Sequence, residues 1–409
     1  MPLNYLEIRK QVKEFGNYTA DNQENTKEAL AHLRQLLEEY ADRQDEVCAQ
    51  VELTRKKHPS LRCALPAEHA LNRVFDQPDF QIPDMFLLAS DGSQIFPDSH
   101  GIVDYGVVNT GLLVMRYHTE KAPDVLTKTT MYYPGVAPFD KIDLSESMIS
   151  FLRDVDERCF LTDNILGVQI DFARENDGVL IPILGLTDGP LDLFAKPETG
   201  MDQSELEFNR YLDSLRALHD KEEMIAGYIN RPRGAMLVRT LELMETGEDR
   251  LTSRQPLERE YAGISDIMLF AHLLKPGQRS GIFKLVSKNS PKYAGDKNRK
   301  LGLHFFYINV GFWRSNGTPV DAFARVEIPE WIAIDEHKVA LIHQILIEQS
   351  RILGTLPYPY LLHRAHETAI VRFAEKEELD RLITAAMMTN GVVIGSISQK
   401  AANKRISGS

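Results

Sequence analysis

Residues 179–191, VLIPILGLTDGPL, constrain the fold more than any other stretch of this chain. The run is apolar without alternation and closes on Thr187-Asp188-Gly189. A continuous apolar run of this length, bounded by Gly and Pro, reads as a strand buried on both faces. A strand covered on both faces belongs to a sheet with helices packed against it, which sets the class as α/β. A second segment, MFLLASDGSQI from Met85, has the same character: a short apolar strand that runs into Asp91-Gly92-Ser93.

Between these two stretches the periodicity places two further strands and a helix. Residues 105–117, within DYGVVNTGLLVMRY, and the Thr- and Tyr-rich KTTMYYP read as strands. Their short polar connections suit an antiparallel meander. A helix follows over 144–161, with Asp143 or Ser145 as its N-cap and Leu144, Met148, Leu152, Val155 and Cys159 along one face. The order strand, strand, strand, helix, strand, with acids ending the first and fourth strands, resembles the ribonuclease-H-like fold. In that fold the fourth strand lies parallel beside the first, which would set Asp91 beside Asp188, and an acid on the first helix faces them. Residues 162–178 read as an insertion between helix and strand.

The flanking regions read as additions to this core. Residues 22–57 carry Leu30, Leu33, Leu37, Tyr40, Val47 and Val51 at helical spacing and read as one long helix ended by Pro59. Downstream, 204–226 and 266–274 read as helices, 302–310 and 322–328 as strands, and 335–353 as an amphipathic helix. A last helix after Pro359 contains His363 and His366. Residues 284–300 form a basic loop, with six Lys or Arg against one Asp. The expected organisation is an N-terminal helical extension over 1–84, a mixed-sheet core flanked by helices with C-terminal helical and strand additions over 85–395, and a small, polar, disordered tail over 396–409.

Composition excludes several classes. Cys48, Cys63 and Cys159 offer neither a disulfide framework nor a zinc spacing. No apolar run is long enough to span a bilayer, and MPLNYLEIRKQVKEFGNY lacks the apolar stretch of a signal peptide, so no membrane association and a cytoplasmic location are expected. The formal net charge of -12 argues against a protein that coats nucleic acid nonspecifically. It leaves room for a nuclease whose carboxylates gather around metal ions. The chain has no Walker A, HExxH or GxSxG motif, so ATP-driven work would need another chain.

Phosphodiester hydrolysis needs an activated water and charge neutralisation at phosphate, which divalent metals supply. Mg²⁺ and Mn²⁺ favour carboxylate oxygens converging from several segments. Each Asp-Gly alone is ordinary turn chemistry. Two of them at the same ends of neighbouring strands are a metal-site pattern. Glu157, in RDVDER, is the favoured helix acid, with Asp154, Asp156 and Glu146 as competitors. His366 could ligate Mn²⁺ or move a proton, with His363 one helical turn earlier as its competitor. Arg231, Arg233, Arg279, Lys284, Lys288 and Arg325 are candidates for phosphate contact.

Taken together, LLASDGSQI, the RDVDE helix, ILGLTDGPL, GYINRPRG, FFYINVG followed by ARVEIPEW, and PYPYLLHRAHE resemble the NurA nuclease family over about residues 85–375. The resemblance implies a ribonuclease-H-like homodimer that cuts DNA with Mn²⁺ or Mg²⁺ and serves a HerA-type hexameric ATPase in DNA end resection. It matches the family's first Asp to Asp91, its helix Glu to Glu157, its second strand-end Asp to Asp188 and its C-terminal His to His366. Two other readings stand beside it: a non-catalytic dimeric adaptor of a DNA-translocating ATPase, and a ribonuclease-H-like enzyme acting on RNA or DNA junctions.

Overall fold

The computed structural model describes residues 4–98, 103–135, 144–193, 201–253, 255, 257–295 and 299–391. The chain divides into two compact units. The first comprises Met1–Gln77, Asn230–Lys292 and Gly302–Val326, and the second Pro78–Ile229, Tyr293–Leu301 and Glu327–Ser409. The expected tail over 396–409 and the alternative cap Asp143 lie outside the described residues.

In chain order the first unit opens with α1 (Tyr5–Glu39), α2 (Gln44–Arg55), β1 (Cys63–Pro66) and β2 (Val74–Phe75). The second unit follows with β3 (Phe86–Ile95), β4 (Gly106–Arg116), β5 (Asp124–Tyr132), α3 (Glu146–Glu175), β6 (Ile183–Asp188), α4 (Met201–Asp220) and β7 (Met224–Asn230). The chain returns to the first unit for α5 (Met236–Glu245), α6 (Glu248–Leu251), α7 (Asp266–Phe270), β8 (Arg279–Ser280), β9 (Phe283–Val286), β10 (Leu303–Asn309), β11 (Phe312–Trp313) and β12 (Pro319–Val320). After β13 (Phe323–Pro329), the second unit closes with α8 (Glu330–Ala333), α9 (Glu336–Ile352), α10 (Tyr360–Ala369) and α11 (Phe373–Thr389).

The sheet of the second unit runs β7-β6-β3-β4-β5. β3, β4 and β5 form the expected antiparallel meander, and β6 lies parallel to both β3 and β7. Numbered by occurrence, the strands cross the sheet in the order 3-2-1-4-5, which is the ribonuclease-H-like topology. β6 is buried on both faces up to Asp188, as its unbroken apolar run requires. Glycines set how closely the layers approach. A Cβ on Gly185 would stand 2.6 Å from Ile165 Cδ1, and one on Gly106 would stand 2.5 Å from Ile149 Cδ1, so bare backbone receives α3.

Four readings are corrected. The single helix expected over 22–57 is two, and it begins at Tyr5, where the Asn4 side chain caps it. The break follows from tertiary competition: Ala41 O, which a continuous helix would commit to residue 45, accepts from Leu71 N (3.0 Å). α2 then packs Val47 and Val51 inward, with Val51 in a core of Leu61, Cys63, Leu65, Leu243, Leu251 and Val286. The apparent insertion at 162–178 is the continuation of α3 to Glu175, with Thr162, Ile165 and Phe172 buried. The helix expected over 204–226 ends at Asp220, and Met224–Asn230 is β7. Glu222 enters the left-handed region (φ 56), while Glu222 N and Glu223 N donate to His219 O and Leu218 O (3.0 Å each), a Schellman ending that periodicity does not reveal. The basic stretch at 284–300 begins as a strand, since Lys284 lies in β9, and Arg299 forms a two-pronged pair with Asp220 (2.7 and 2.8 Å). Residues 296–298 lie outside the described residues.

Candidate metal centre

Asp91 sits inside β3, not at its end. The strand continues pairing with β4 to Ile95, opposite Val107, so Asp91-Gly92 is extended backbone and not a turn. β3 pairs with β6 only as far as Ser90, opposite Thr187. The next residues along are Asp91 and Asp188, which therefore stand side by side where the two strands part. Alternation sends Asp91 and Asp188 to one face of the sheet and Gly92 and Thr187 to the other.

α10 brings the third group to the acid face. Gly111 of β4 is paired with Asp91, and a Cβ there would stand 2.7 Å from Ala369 N and 2.9 Å from Ala365 O. The bare backbone lets α10 lie directly on the strand. Ser93 Oγ and Asn109 Nδ2 (2.8 Å) both donate to Ala369 O at the helix end. Thus anchored, α10 places His366 Nδ1 2.6 Å from Asp91 Oδ2. Ligand atoms of Asp91, Asp188 and His366 lie within 4.8 Å of one another. His363 faces elsewhere, half-buried and 3.6 Å from Glu367 Oε1.

Glu157 approaches from the other face. Ser145 caps α3 by accepting from Met148 N (3.2 Å), and the helix crosses β3 at Gly92. A Cβ on Gly92 would stand 2.7 Å from Arg153 Cγ and 3.5 Å from Glu157 Oε2, so glycine leaves room for both side chains. Glu157 is buried and accepts a hydrogen bond from Thr187 Oγ1. Burial, opposed by the Arg158 guanidinium and reinforced by the charge of Asp91, pushes its carboxyl up to about 8. Two of its competitors on α3 are committed elsewhere, and the third, Glu146, is exposed in the first turn of the helix. Asp156 accepts from Tyr132 Oη (2.6 Å) and Arg210 (2.5 Å), while Asp154 pairs with Arg153 (2.6 Å). Arg158, fully buried, donates to Asp154 O (2.5 Å) and Pro190 O, tying α3 to the turn after Asp188. Gly189 in that turn has φ +131, which favours glycine.

A tyrosine completes the cluster. Tyr358, just before α10, is hydrogen-bonded to Asp188, and its ring packs edge-on against Tyr228 (5.5 Å between centroids). Asp188 is pushed up by burial and by Asp91; Tyr358, His366 and Arg153 pull it back. Nothing in a metal-site pattern of acids and histidines selects a tyrosine. The sequence clue was its place in PYPYLLHRAHE, eight residues before His366. Two carboxylates and an imidazole crowded together, with Asp91 raising the pKa values of both Asp188 and Glu157, form a donor set suited to a hard or borderline divalent cation.

Among the basic candidates, Arg279 and Arg325 are buried. Arg279 lies over the Phe75 ring (4.0 Å) and donates to Ser280 O (2.9 Å), and Arg325 lies over Phe305 (5.7 Å). Arg231, Arg233, Lys284 and Lys288 are exposed.

The fold and this cluster define a ribonuclease-H-like protein with a candidate acidic metal centre. The NurA domain family model matches residues 87–371, well over half of the 409-residue chain, and the chain belongs to the NurA family. Among solved structures, the NurA nuclease of Sulfolobus solfataricus aligns over 94% of this chain and 98% of its own at 15% identity, with a TM-score of 0.47. Marinitoga piezophila Argonaute, in complex with guide RNA and target DNA, aligns over 71% of this chain and 30% of its own (9% identity, TM-score 0.29). The catalytic domain of human Endonuclease V aligns over 83% and 98% (10% identity, TM-score 0.28). No curated protein matches. Among the described residues, no helix is long and apolar enough to cross a membrane.

Proposed function

We propose that this protein is a divalent-metal-dependent nuclease that hydrolyses DNA phosphodiester bonds. We further propose that it works as a homodimer with a HerA-type hexameric translocase in DNA end resection, a role that rests on family membership. The observation that carries the nuclease reading is the convergence of Asp91, Asp188 and His366 within 4.8 Å at the point where β3 and β6 part. Asp91, Asp188 and His366 would hold the metal, and Glu157, outside that converging group on the α3 side, is proposed as a further ligand. The carboxylates suit Mn²⁺ or Mg²⁺, and of these two Mn²⁺ accepts an imidazole nitrogen more readily.

The chemistry such a cation would supply there is positive charge at the scissile phosphate and an activated water. The protein's own groups set the geometry. Asp91 is fixed by antiparallel pairing with Gly111 and Asp188 by parallel pairing with Tyr228, each stiffer than a loop. Tyr358 holds the Asp188 carboxylate in one orientation. With Nδ1 of His366 bonded to Asp91, its Nε2 is the nitrogen left for one of two roles, metal ligand or, in place of that, proton donor to the leaving oxygen. Arg153, whose stem crosses Gly92, contributes a positive charge that favours ionised Asp188.

The test is cleavage of labelled duplex DNA, single-stranded DNA and RNA with Mn²⁺, with Mg²⁺ and with EDTA. Wild type should cut DNA only with metal, and folded Asp91→Ala and Asp188→Ala should cut none. An adaptor would show no metal-dependent cleavage, and an RNA enzyme would prefer the RNA strand. Either outcome removes the proposal.

A further inference from the structure

The first unit carries a feature that the metal centre does not use. β11 and β12 form a separate two-stranded hairpin, with Phe312 opposite Val320 and Trp313 opposite Pro319. Its root is rigid. Asn309, fully buried, accepts from Gly311 N (3.1 Å) and Ala322 N (3.0 Å) and donates to Leu274 O (3.0 Å) and Asp321 Oδ1 (2.9 Å). A Cβ on Gly311 would stand 1.9 Å from Val320 O, so glycine is required for the hairpin to close. The tip is ordered too. Arg314 N donates to Thr318 O (2.9 Å), Gly317 takes φ +77, and Asn316 Oδ1 accepts from the Thr318 amide and hydroxyl (3.0 and 2.7 Å).

This ordered hairpin carries an exposed indole just before its turn. Of the chain's two tryptophans, Trp331 is 8% exposed and donates to Glu223 O (3.1 Å), whereas Trp313 is 52% exposed. Core packing does not account for Trp313. Arg314 is the single charge within the hairpin, 312–320, while Asp321 at its root is bonded to Asn309. The turn residues beyond Trp313, Ser315, Asn316, Gly317 and Thr318, are small and polar, and exposed Pro319 opposite it adds little area, so the tip is not an apolar patch of the size that docks a protein. One flat aromatic face beside one guanidinium matches one base and its phosphate.

We propose that Trp313 and Arg314 form a nucleic-acid contact, with the indole stacking on an exposed base of the DNA and the guanidinium pairing with a neighbouring phosphate. This inference rests on the DNA nuclease reading. The hairpin is built in advance of binding, so little ordering opposes the contact.

The test measures binding of a short fluorescein-labelled single-stranded oligonucleotide by anisotropy in EDTA, and steady-state cleavage with Mn²⁺, using the full chain. Trp313→Ala should melt like wild type, bind roughly 5- to 100-fold more weakly and raise KM with kcat unchanged. Trp313→Phe should restore most of the affinity. Arg314→Ala should lower the salt dependence of binding by about one counterion. If wild type cuts DNA and Trp313→Ala binds and cuts it identically, the hairpin proposal fails alone, whether or not the variant loses a protein partner. If wild type cuts no DNA with Mn²⁺, the nuclease reading fails and this contact falls with it.

Discussion

Asp91 and Asp188 were legible because each closed an apolar run and each stood before glycine. The reason for the glycines was not legible. Gly92 makes room for Arg153 and Glu157, and Gly189 turns the chain at φ +131. Sequence spacing left His363 and His366 as competitors, and the 2.6 Å contact with Asp91 distinguishes them. Tyr358 was missed because its role depends on a contact with Asp188 made across the fold. Tyr358→Phe should keep the melting temperature within a few degrees and lower Mn²⁺ affinity or activity by about 10- to 100-fold; an unchanged variant would remove Tyr358 from the site. Glu157 gives a pH signature. Its folded carboxyl, at about 8, lies above the ordinary Glu value of 4.5, so the unfolded chain ionises first as pH rises. In metal-free protein its contribution to stability is full below the unfolded value. It falls by about 1.4 kcal/mol per pH unit through that window and is lost above about 8. In EDTA, Glu157→Gln should therefore gain on wild type in thermal melts as pH rises from about 5 to 8. Parallel melting curves would contradict the burial argument.

At the scale of elements, the strand-strand-strand-helix-strand order was readable from periodicity, and the β3–β6 register explains why two distant Asp-Gly pairs meet. What periodicity could not show was where neighbours override local pattern. Ala41 O is taken by Leu71 N, the Schellman ending at Glu222 starts β7, and α3 runs through a stretch whose polar face resembles a loop. The approach of α10 was equally hidden, because it depends on one missing side chain. Gly111→Ala would drive a methyl group into the backbone at Ala365 and Ala369. Overpacking of this kind costs about 1–3 kcal/mol, and it should also move His366 from Asp91. The expected result is a lower melting temperature together with a loss of Mn²⁺ affinity larger than that of a control on the same helix such as His363→Ala. Retention of wild-type metal affinity would show that α10 does not depend on this contact.

At the scale of the molecule, the chain belongs to the NurA family and has a ribonuclease-H-like sheet whose acid face gathers two aspartates, a histidine and a tyrosine. The acidic net charge is consistent with a centre built to hold cations, and the exposed basic side chains at Arg231, Arg233, Lys284 and Lys288 are available to phosphate. If the protein works as the proposed homodimer, sedimentation should give a mass near twice 46.4 kDa at micromolar concentration; a monomer at all concentrations would contradict that part of the account. The central claim concerns the cluster itself, and calorimetric titration of Mn²⁺ into metal-free protein tests it most directly. Wild type should bind with measurable heat, and folded Asp188→Ala should show none at the same concentrations. Equal Mn²⁺ uptake by wild type and folded Asp188→Ala would contradict the assignment of this metal centre.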